Sequence, residues 1–263
     1  MSAADAMLRT LATTLPEAVL PHGVPHLGAA EARLAAGVAA LEGETLLRGA
    51  GLLLNVELLV TALGPSAAPE VRAVSGRIRR LVPEATANEL VDAAQSGSWD
   101  AIGALAARIG LDPHAVITLV DYAVRPALQA GARAVREVVT RCRWHRGTCP
   151  ACGAAPLLTE LRGGGASGTA EHERLLRCGR CLSSWSFPRL RCVSCGETNH
   201  RQLAYLHGSG EESFRRAEVC STCHGYLKSI AVLSSLDLFQ LLSADLTTAA
   251  LDAAALERGF HRT

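Results

Sequence analysis

Four Cys-x-x-Cys pairs constrain this chain more than any other feature of its sequence. They contain eight of the nine cysteines and fall within less than a third of the 263 residues. A Cys-x-x-Cys turn places two sulfurs on one side of a tight loop, and two such turns supply the four-sulfur tetrahedron that zinc or a single iron prefers. We therefore predict two metal sites. Their ligands would be Cys149, Cys152, Cys178, Cys181, Cys192, Cys195, Cys220 and Cys223.

The spacing of the pairs indicates an internal duplication. The first and second pairs are separated by 25 residues and the third and fourth by 24. Equal spacing favours sequential pairing, with site 1 built from the first two pairs and site 2 from the last two. A crossed arrangement that joins the second pair to the third is the alternative. Spacing does not distinguish iron from zinc.

Each predicted unit has the same order of elements: a Cys-x-x-Cys-Gly turn, a strand, a polar turn, a second strand and a second cysteine pair. Alternating apolar residues predict the strands, and Gly-rich segments at 163–168 and 207–212 predict the turns between them. The pattern is typical of zinc-ribbon or rubredoxin-like modules. The predicted strands are Leu157–Leu161, Glu171–Arg177, Gln202–Leu206 and Phe214–Val219.

The sequence before the cysteines is helical in pattern and contains no catalytic constellation. Thr86 and Glu89 predict a capping box, Ser98 and Asp112 predict N-caps, and Pro126 is expected to start or kink a helix. The predicted helices are Ala29–Leu41, Glu44–Leu63, Pro69–Leu81, Ala87–Gln95, Trp99–Ile109, a helix after Asp112, and Ala127–Arg141.

These patterns together predict an α+β fold in four parts. An N-terminal all-α helical domain covers residues 1–141, and two tandem four-cysteine ribbons cover 142–190 and 191–228. A C-terminal helical tail covers 229–263, in which Ala244–Arg258 is the expected helix and Gly259 its terminator.

Charge and composition exclude some functions. The formal net charge is +1 and aromatic residues make up 4% of the chain, which argues against a nucleic-acid binder with a basic face and stacking aromatics. Because no basic segment followed by an apolar run begins the sequence, we expect a cytoplasmic protein. The apolar stretch Leu52–Leu63 is short and contains Asn55 and Glu57. It predicts a core helix and not a membrane insertion.

Two other chemistries of cysteine pairs fit this sequence less well than metal binding. The segment from Cys220 to His224 has the c-type haem attachment pattern. Two observations argue against haem: these cysteines complete the duplicated unit, and the chain offers only two methionines, Met1 and Met7, as possible distal ligands. A thioredoxin-like dithiol would begin a helix in a βαβ unit, whereas these pairs lie among strands. The ninth cysteine, Cys142, is expected to be a small buried thiol, with a reactive thiol as the alternative.

Residues that flank the cysteine pairs form motifs that metal binding alone does not require. They include Ala-Ala-Pro156 after the first pair, a segment from Arg174 through Trp185 and Arg189 to Gly196, and Tyr226-Leu-Lys228 after the last. With the ending of the chain, these motifs resemble the FdhE family of formate dehydrogenase accessory proteins.

The resemblance implies a cytoplasmic helper that is not an enzyme. It would bind the catalytic subunit of a formate dehydrogenase and assist formation of the active enzyme, with two bound metal ions, iron as a family property or zinc. It would bind no nucleic acid, and a homodimer is left open. Trp185 and Arg189 are candidate partner-binding residues, because Trp suits a rigid anchor and Arg suits carboxylate recognition; alternatively, Trp185 caps the ribbon core. A rubredoxin-like redox partner and a nucleic-acid-binding zinc ribbon are the competing functions.

Overall fold

The protein is represented by a computed structural model that describes residues 9–10, 13–15, 20, 23, 25–67, 69–163, 173–207 and 214–263, with the side chains of Ser66 and Arg79 omitted. These residues form two compact units. The helical unit comprises residues 1–141 with 151–153, and the ribbon unit comprises 142–150 and 154–263. Most of both predicted turns, at 164–168 and 208–212, lies outside the described residues.

Seven helices form the helical unit as described. Helix α2 packs against α4 and α6, and α5 packs against α4 and α6. A short 3-10 turn follows α2. The helices are α1 (Leu27–Ala35), α2 (Gly49–Leu63), α3 (Pro69–Leu81), α4 (Glu84–Gln95), α5 (Trp99–Arg108), α6 (Pro113–Ala134) and α7 (Arg136–Arg141).

Helix α2 lies at the centre of this unit, as its apolar sequence predicts. Leu52, Val56 and Leu59 are almost fully buried on one side of the helix. The polar Asn55 is also buried, and its side-chain amide donates a hydrogen bond of 2.8 Å to the carbonyl oxygen of Ala123 on α6. A buried amide is tolerated where it is hydrogen-bonded, so this bond offsets part of the cost of burying Asn55 and links two core helices. In the described part of the chain, no helix combines the length and apolarity needed to cross a membrane.

Two of the predicted helices are too long at one end. Helix α1 ends at Ala35 and not at Leu41, because Gly37 adopts a φ of 72° that terminates the helix. Helix α2 begins at Gly49 and not at Glu44. The prediction for Pro69–Leu81 is confirmed.

The predicted helix caps have mixed outcomes. Asp112 caps α6, since its carboxylate accepts a hydrogen bond of 2.7 Å from the amide of Ala115. Ser98 occupies the N-cap position of α5, but its side chain makes no capping hydrogen bond. The capping box at Thr86 is wrong, because α4 already begins at Glu84 after Pro83. Helix α6 runs on through Pro126 to Ala134, so no separate helix starts there.

The ribbon unit is built on one seven-stranded sheet. The order of the strands is β3-β2-β1-β6-β5-β4, and β7 pairs with β6 off this path. The strands are β1 (Leu158–Arg162), β2 (Glu173–Arg177), β3 (Ser184–Ser186), β4 (Leu203–His207), β5 (Arg215–Cys220), β6 (Gly225–Val232) and β7 (His261–Arg262). All four predicted hairpin strands are therefore present, with ends that agree to within two residues; residues 171–172 of the second prediction lie outside the described residues.

The two four-cysteine segments share this sheet, which the sequence did not predict. The hairpin β1-β2 belongs to the first segment and the hairpin β4-β5 to the second. Strand β6 joins them, because it pairs parallel with β1 and antiparallel with β5. The subdivision of the C-terminal half into separate ribbons at 142–190 and 191–228 stays a prediction.

The C-terminal tail contains α8 (Leu238–Thr247) and α9 (Ala249–Glu257) where one helix was predicted. Gly259 follows α9 with a φ of 79°, as expected of a terminating glycine. Leu251 and Ala255 of α9 pack against Ala217 and Val219 of β5. The tail therefore covers one face of the sheet.

A buried charge cluster fixes this tail to β6. Lys228 is 1% exposed, and its ammonium group lies 2.6 Å from the carboxylate of Asp245 on α8 and 2.7 Å from that of Asp252 on α9. The hydroxyl of Tyr226 donates to Asp252 at 2.9 Å. Arg262 on β7 also pairs with Asp245. Because the charges are paired and hydrogen-bonded, the cluster joins four elements at a tolerable desolvation cost.

Alkaline pH is expected to weaken this cluster. Burial, followed by the hydrogen bond to Asp252, raises the pKa of Tyr226 to about 12 from its usual value near 10. The unfolded chain releases this proton near pH 10 while the folded chain retains it, so the contribution to stability is complete below pH 10 and is lost as pH rises towards 12. Urea unfolding is expected to show that the free energy of unfolding falls more between pH 9 and pH 11 for the native protein than for Tyr226→Phe. An equal drop in both would contradict this, and Tyr122→Phe is the matched control.

Candidate metal centres

The structure brings the eight paired cysteines into two clusters, grouped sequentially as the spacing favours. Within each cluster all four sulfurs lie within 4.8 Å of one another. Individual Sγ–Sγ distances are 3.5 Å for Cys149 and Cys181, 3.6 Å for Cys192 and Cys223, and 3.8 Å for Cys195 and Cys220. The crossed arrangement is not observed. Cluster 1 is Cys149, Cys152, Cys178 and Cys181, and cluster 2 is Cys192, Cys195, Cys220 and Cys223.

The first three cysteine turns share one backbone hydrogen bond. The amide of the first cysteine donates to the carbonyl oxygen five residues later, from Cys149 to Ala154, Cys178 to Ser183 and Cys192 to Glu197, at 2.8 to 2.9 Å. This bond closes a tight loop that holds both sulfurs of the pair on one side. The repeated geometry shows that the duplication seen in the sequence extends to the backbone.

The residue after the second cysteine adopts a left-handed backbone conformation, with positive φ, in all four turns. Gly153 and Gly196 both have a φ of 78°, while Leu182 has 66° and His224 has 56°. Leu182 and His224 are the two non-glycine residues with positive φ in the described part of the chain. A left-handed leucine is strained, and such strain persists where the surrounding structure requires that conformation. The four-sulfur geometry therefore determines this backbone position even without glycine.

Backbone amides point at several of the sulfurs. The amides of Arg180 and Cys181 lie 3.4 and 3.5 Å from the sulfur of Cys178, and the amide of Gly225 lies 3.4 Å from that of Cys223. An N–H group directed at sulfur stabilises the thiolate over the thiol. This arrangement favours the form of cysteine that binds metals.

The two clusters differ in their exposure to solvent. In cluster 1, Cys149 and Cys178 are fully buried, Cys181 is 4% exposed and Cys152 is half-buried. In cluster 2, Cys195 is exposed and Cys223 is half-buried. Cluster 1 is therefore more enclosed than cluster 2, which contains the exposed Cys195.

The thiols of cluster 2 have shifted acidities. Burial raises the pKa of Cys192 to about 12. For Cys220, burial acts in the same direction, but hydrogen bonds from the amides of Cys223 and Thr222 and from neighbouring sulfurs outweigh it and lower the pKa. Without a cation, the four sulfurs of this cluster cannot all be ionised at neutral pH. Occupation by a metal must therefore release protons.

Glu197 supports the loop of cluster 2 from outside. Its carboxylate accepts hydrogen bonds from the amides of Asn199 and Thr198 and from the hydroxyl of Thr222. These bonds, that of Asn199 first, lower the pKa of Glu197. The carboxylate thus links the third and fourth cysteine turns.

The donor set of each cluster fits a tetrahedral thiophilic ion. A metal–sulfur bond of about 2.3 Å places the sulfurs of a tetrahedral site about 3.8 Å apart, close to the distances of 3.5 to 3.8 Å found in both clusters. Each cluster could therefore hold one metal ion, and four sulfurs suit iron as well as zinc. Both cysteines of the haem-like pattern belong to cluster 2, which accounts for them without haem.

The two candidate partner-binding residues differ in exposure. Trp185 is 6% exposed, and its indole N–H donates a hydrogen bond of 3.2 Å to the carbonyl oxygen of Arg146. Burial favours the alternative in which Trp185 caps the ribbon core. Arg189 is exposed, and with Leu190 and Arg191 it lines a cleft beside cluster 2. Its role in partner binding stays a prediction. Cys142 is half-buried and belongs to neither cluster.

Sequence reasoning missed three charged residues in strands. Glu160, Arg174 and Arg177 are each at most 5% exposed. Arg174 pairs with Glu218 across the sheet and donates hydrogen bonds to the carbonyl oxygens of Pro188 and Arg191. It therefore positions the segment that leads into cluster 2. The sequence shows these residues only as charges within apolar strands. Such a charge indicates burial only when it is known which face of the sheet is covered by other elements.

Comparisons with known proteins agree with these features. Residues 190–263 match the family described as FdhE, C-terminal domain. A protein named "Protein FdhE homolog" from Stutzerimonas stutzeri is 31% identical over 176 residues, which cover 65% of this chain and 54% of that protein. One of the same name from Pseudomonas aeruginosa is 30% identical over 171 residues, which cover 64% of this chain and 54% of that protein. The matched part is thus about half the length of these curated relatives.

A solved structure extends the similarity to nearly the whole chain. The crystal structure of the FdhE protein from Pseudomonas aeruginosa superposes with a TM-score of 0.69 at 25% identity, over 99% of this chain and 84% of that one. The structural similarity thus includes the helical region, where the sequence showed no sharp motif. Residues 190–263 thus match the C-terminal domain family of FdhE, and the chain as a whole is similar in structure to the FdhE protein from Pseudomonas aeruginosa.

Proposed function

We propose that this protein is an accessory factor that binds the catalytic subunit of a formate dehydrogenase and assists formation of the active enzyme, without catalysis of its own. The observation that carries the proposal is the pair of four-sulfur clusters built on one sheet, in a chain whose residues 190–263 match the C-terminal domain of FdhE. The role places it in the cytoplasm, where such a subunit would be made.

The clusters would act as cross-links that keep the ribbon unit folded. Small ribbons bury too little apolar surface to be stable without metals or disulfides. We propose that the eight clustered cysteines hold two metal ions, iron or zinc. A bound cation would neutralise thiolate charge and join two turns that are far apart in sequence. The protein's own contribution is the left-handed residue after each pair and the amides directed at the sulfurs.

An affinity pull-down from anaerobic extract tests this function. Tagged native protein is expected to retain a formate dehydrogenase catalytic subunit, identified by mass spectrometry, and a variant with serine at all eight clustered cysteines is expected to lose it. Cys142→Ser is the matched control, because this cysteine lies outside both clusters. The proposal fails if the native protein retains no such subunit, or if the eight-serine variant retains it equally well.

The exposure of Cys195 favours a second candidate, a rubredoxin-like redox partner of the dehydrogenase. An electron moves more readily to or from a metal whose ligand sulfur reaches the surface than to or from a closed site. A red protein that bleaches on reduction would support this function. A colourless protein that contains only zinc would exclude it, because zinc has no redox chemistry in proteins.

A further inference from the structure

The sheet of the ribbon unit has one face that the tail does not cover at the β4-β5 hairpin. The tail helix α9 packs on Ala217 and Val219 of β5. Side chains alternate between faces, so Glu218 and its cross-strand partner Tyr205 point the other way. Tyr205 is 42% exposed. This second face carries polar and aromatic side chains beside cluster 2.

Strand β4 ends the sheet and leaves its outer edge free of any strand in the described part of the chain. Gln202 accepts from the amide of Ser221 next to the hairpin ladder, and the antiparallel alternation then directs the backbone groups of Leu203, Tyr205 and His207 outward. The strand contains no proline, lysine or carboxylate to block pairing. Such an edge is suited to the addition of another strand.

A cleft that extends from β4 across β5 and β6 has an excess of positive charge. Its walls include Arg189, Leu190, Arg191 and Tyr205, together with sulfur ligands of cluster 2. Glu218 is the carboxylate in the lining and it is already paired with Arg174. Arg189 and Arg191 have no carboxylate partner among the described residues.

Two arginines of this surface show how it is built: one is fixed by stacking on an aromatic ring, and the other has an unused hydrogen-bond donor. The guanidinium of Arg216 stacks on the ring of Tyr205, with its central carbon 3.8 Å from the ring centroid. The buried Nε of Arg191 has no hydrogen-bond partner in the described structure. Leu190 is 62% exposed at the same cleft, so the surface joins positive charge to an apolar contact. Arginine and aromatic side chains are enriched where proteins bind partners.

We propose that the free edge of β4 and this cleft bind an extended acidic segment of a partner protein by strand addition. The segment would pair with the outward backbone groups of β4, and the carboxylates on one of its faces would meet Arg189 and Arg191. The inference deepens the proposed function by giving the surface and chemistry of the partner, and it rests on that function for its biological role.

Binding of a defined peptide tests the proposal. The probe is a fluorescein-labelled peptide of about ten alternating glutamate and valine residues, long enough to run past β4. Fluorescence anisotropy with the full-length protein is expected to show binding that weakens with salt, and the lysine-valine counterpart is expected not to bind. Arg189→Glu should weaken binding about tenfold or more, because charge reversal places like charges together. Arg258→Glu, at the exposed residue that follows α9, is the matched control and should change little.

A backbone variant separates strand addition from simple charge attraction. Tyr205→Pro removes an outward N–H group and should abolish binding, whereas Tyr205→Val keeps that group and should retain most of it. Metal content and circular dichroism show whether each variant is folded.

Other results would overturn the proposal. These are equal binding of the lysine peptide, equal loss in Arg189→Glu and Arg258→Glu, displacement by a single-stranded oligonucleotide, or occupation of the edge by a second copy of the chain in sedimentation. If the protein retains the dehydrogenase subunit but does not bind the peptide, the proposed binding surface is wrong and the proposed function stands. One that binds the peptide but not the subunit refutes the proposed function alone.

Discussion

Cys178→Ser is expected to release the metal from cluster 1 and to unfold most of the ribbon unit at neutral pH. Cys178 is fully buried and accepts two backbone amides, so its sulfur cannot be replaced by water or by a neighbouring side chain. Binding of a structural metal contributes folding free energy directly, about 10 kcal/mol or more in small metal-dependent domains. We therefore expect a loss above about 4 kcal/mol, which is beyond the range of most single substitutions.

Metal analysis and urea unfolding of the same preparations measure this effect. Cys142→Ser is the control and should retain two metal ions per chain with native stability, since Cys142 lies outside the clusters. Cys195→Ser is expected to be milder and to affect cluster 2, because Cys195 is exposed. For the same reason, a chelator should empty cluster 2 of the native protein before cluster 1. A Cys178→Ser protein with two metal ions and native unfolding would show that Cys178 is not required for metal binding or for folding of the ribbon unit.

Glu160→Ala is expected to lower the free energy of unfolding by about 3–5 kcal/mol, the usual effect of removing one partner from a buried ion pair. Glu160 on β1 is fully buried and pairs with Arg177 on β2 and with Arg162. It also accepts the amide of Leu236 at 3.0 Å, in the loop that leads to α8. Without the carboxylate, the guanidinium of Arg177 would remain buried but would have lost the carboxylate that balances its charge.

The double variant Glu160→Leu with Arg177→Met tests that explanation. It removes both charges and should recover a large part of the lost stability, because apolar residues of similar size often replace a buried ion pair without loss. Glu173→Ala is the matched control on the neighbouring strand, where the carboxylate is exposed and accepts from Ser186. Its effect should stay within about 0.5 kcal/mol. Equal destabilisation by Glu160→Ala and Glu173→Ala would rule out the buried pair as the cause.

Local patterns predicted the elements of this protein well. Apolar periodicity predicted the core helix α2 with its buried Asn55, and Asp112 marked the start of α6. Alternation predicted the four hairpin strands, and equal spacing predicted which cysteines cluster. These features depend on residues close together in the chain or on a repeated unit. They can therefore be read without knowing the tertiary structure.

Predictions failed where a nearby residue competed with the pattern. Gly37 ended α1 early, Pro83 moved the start of α4 ahead of Thr86, and Pro126 was tolerated inside α6. Propensity is a weak indicator at such positions, because tertiary packing overrides it. Asn88 shows the alternative use of a polar residue, since its side chain accepts the amide of Gly49 on a different helix at 2.7 Å.

The sequence by itself determined the two four-sulfur clusters, because the two-residue spacing within each pair places its sulfurs together at short range. It also determined the helical class of the first half and the hairpins of the second. The tertiary structure alone decided that β6 joins both hairpins in one sheet, that Glu160 and Lys228 are buried with charged partners, and that cluster 2 opens on a basic cleft. Strand pairing and burial depend on residues far apart in the chain, and no local pattern specifies which of them meet.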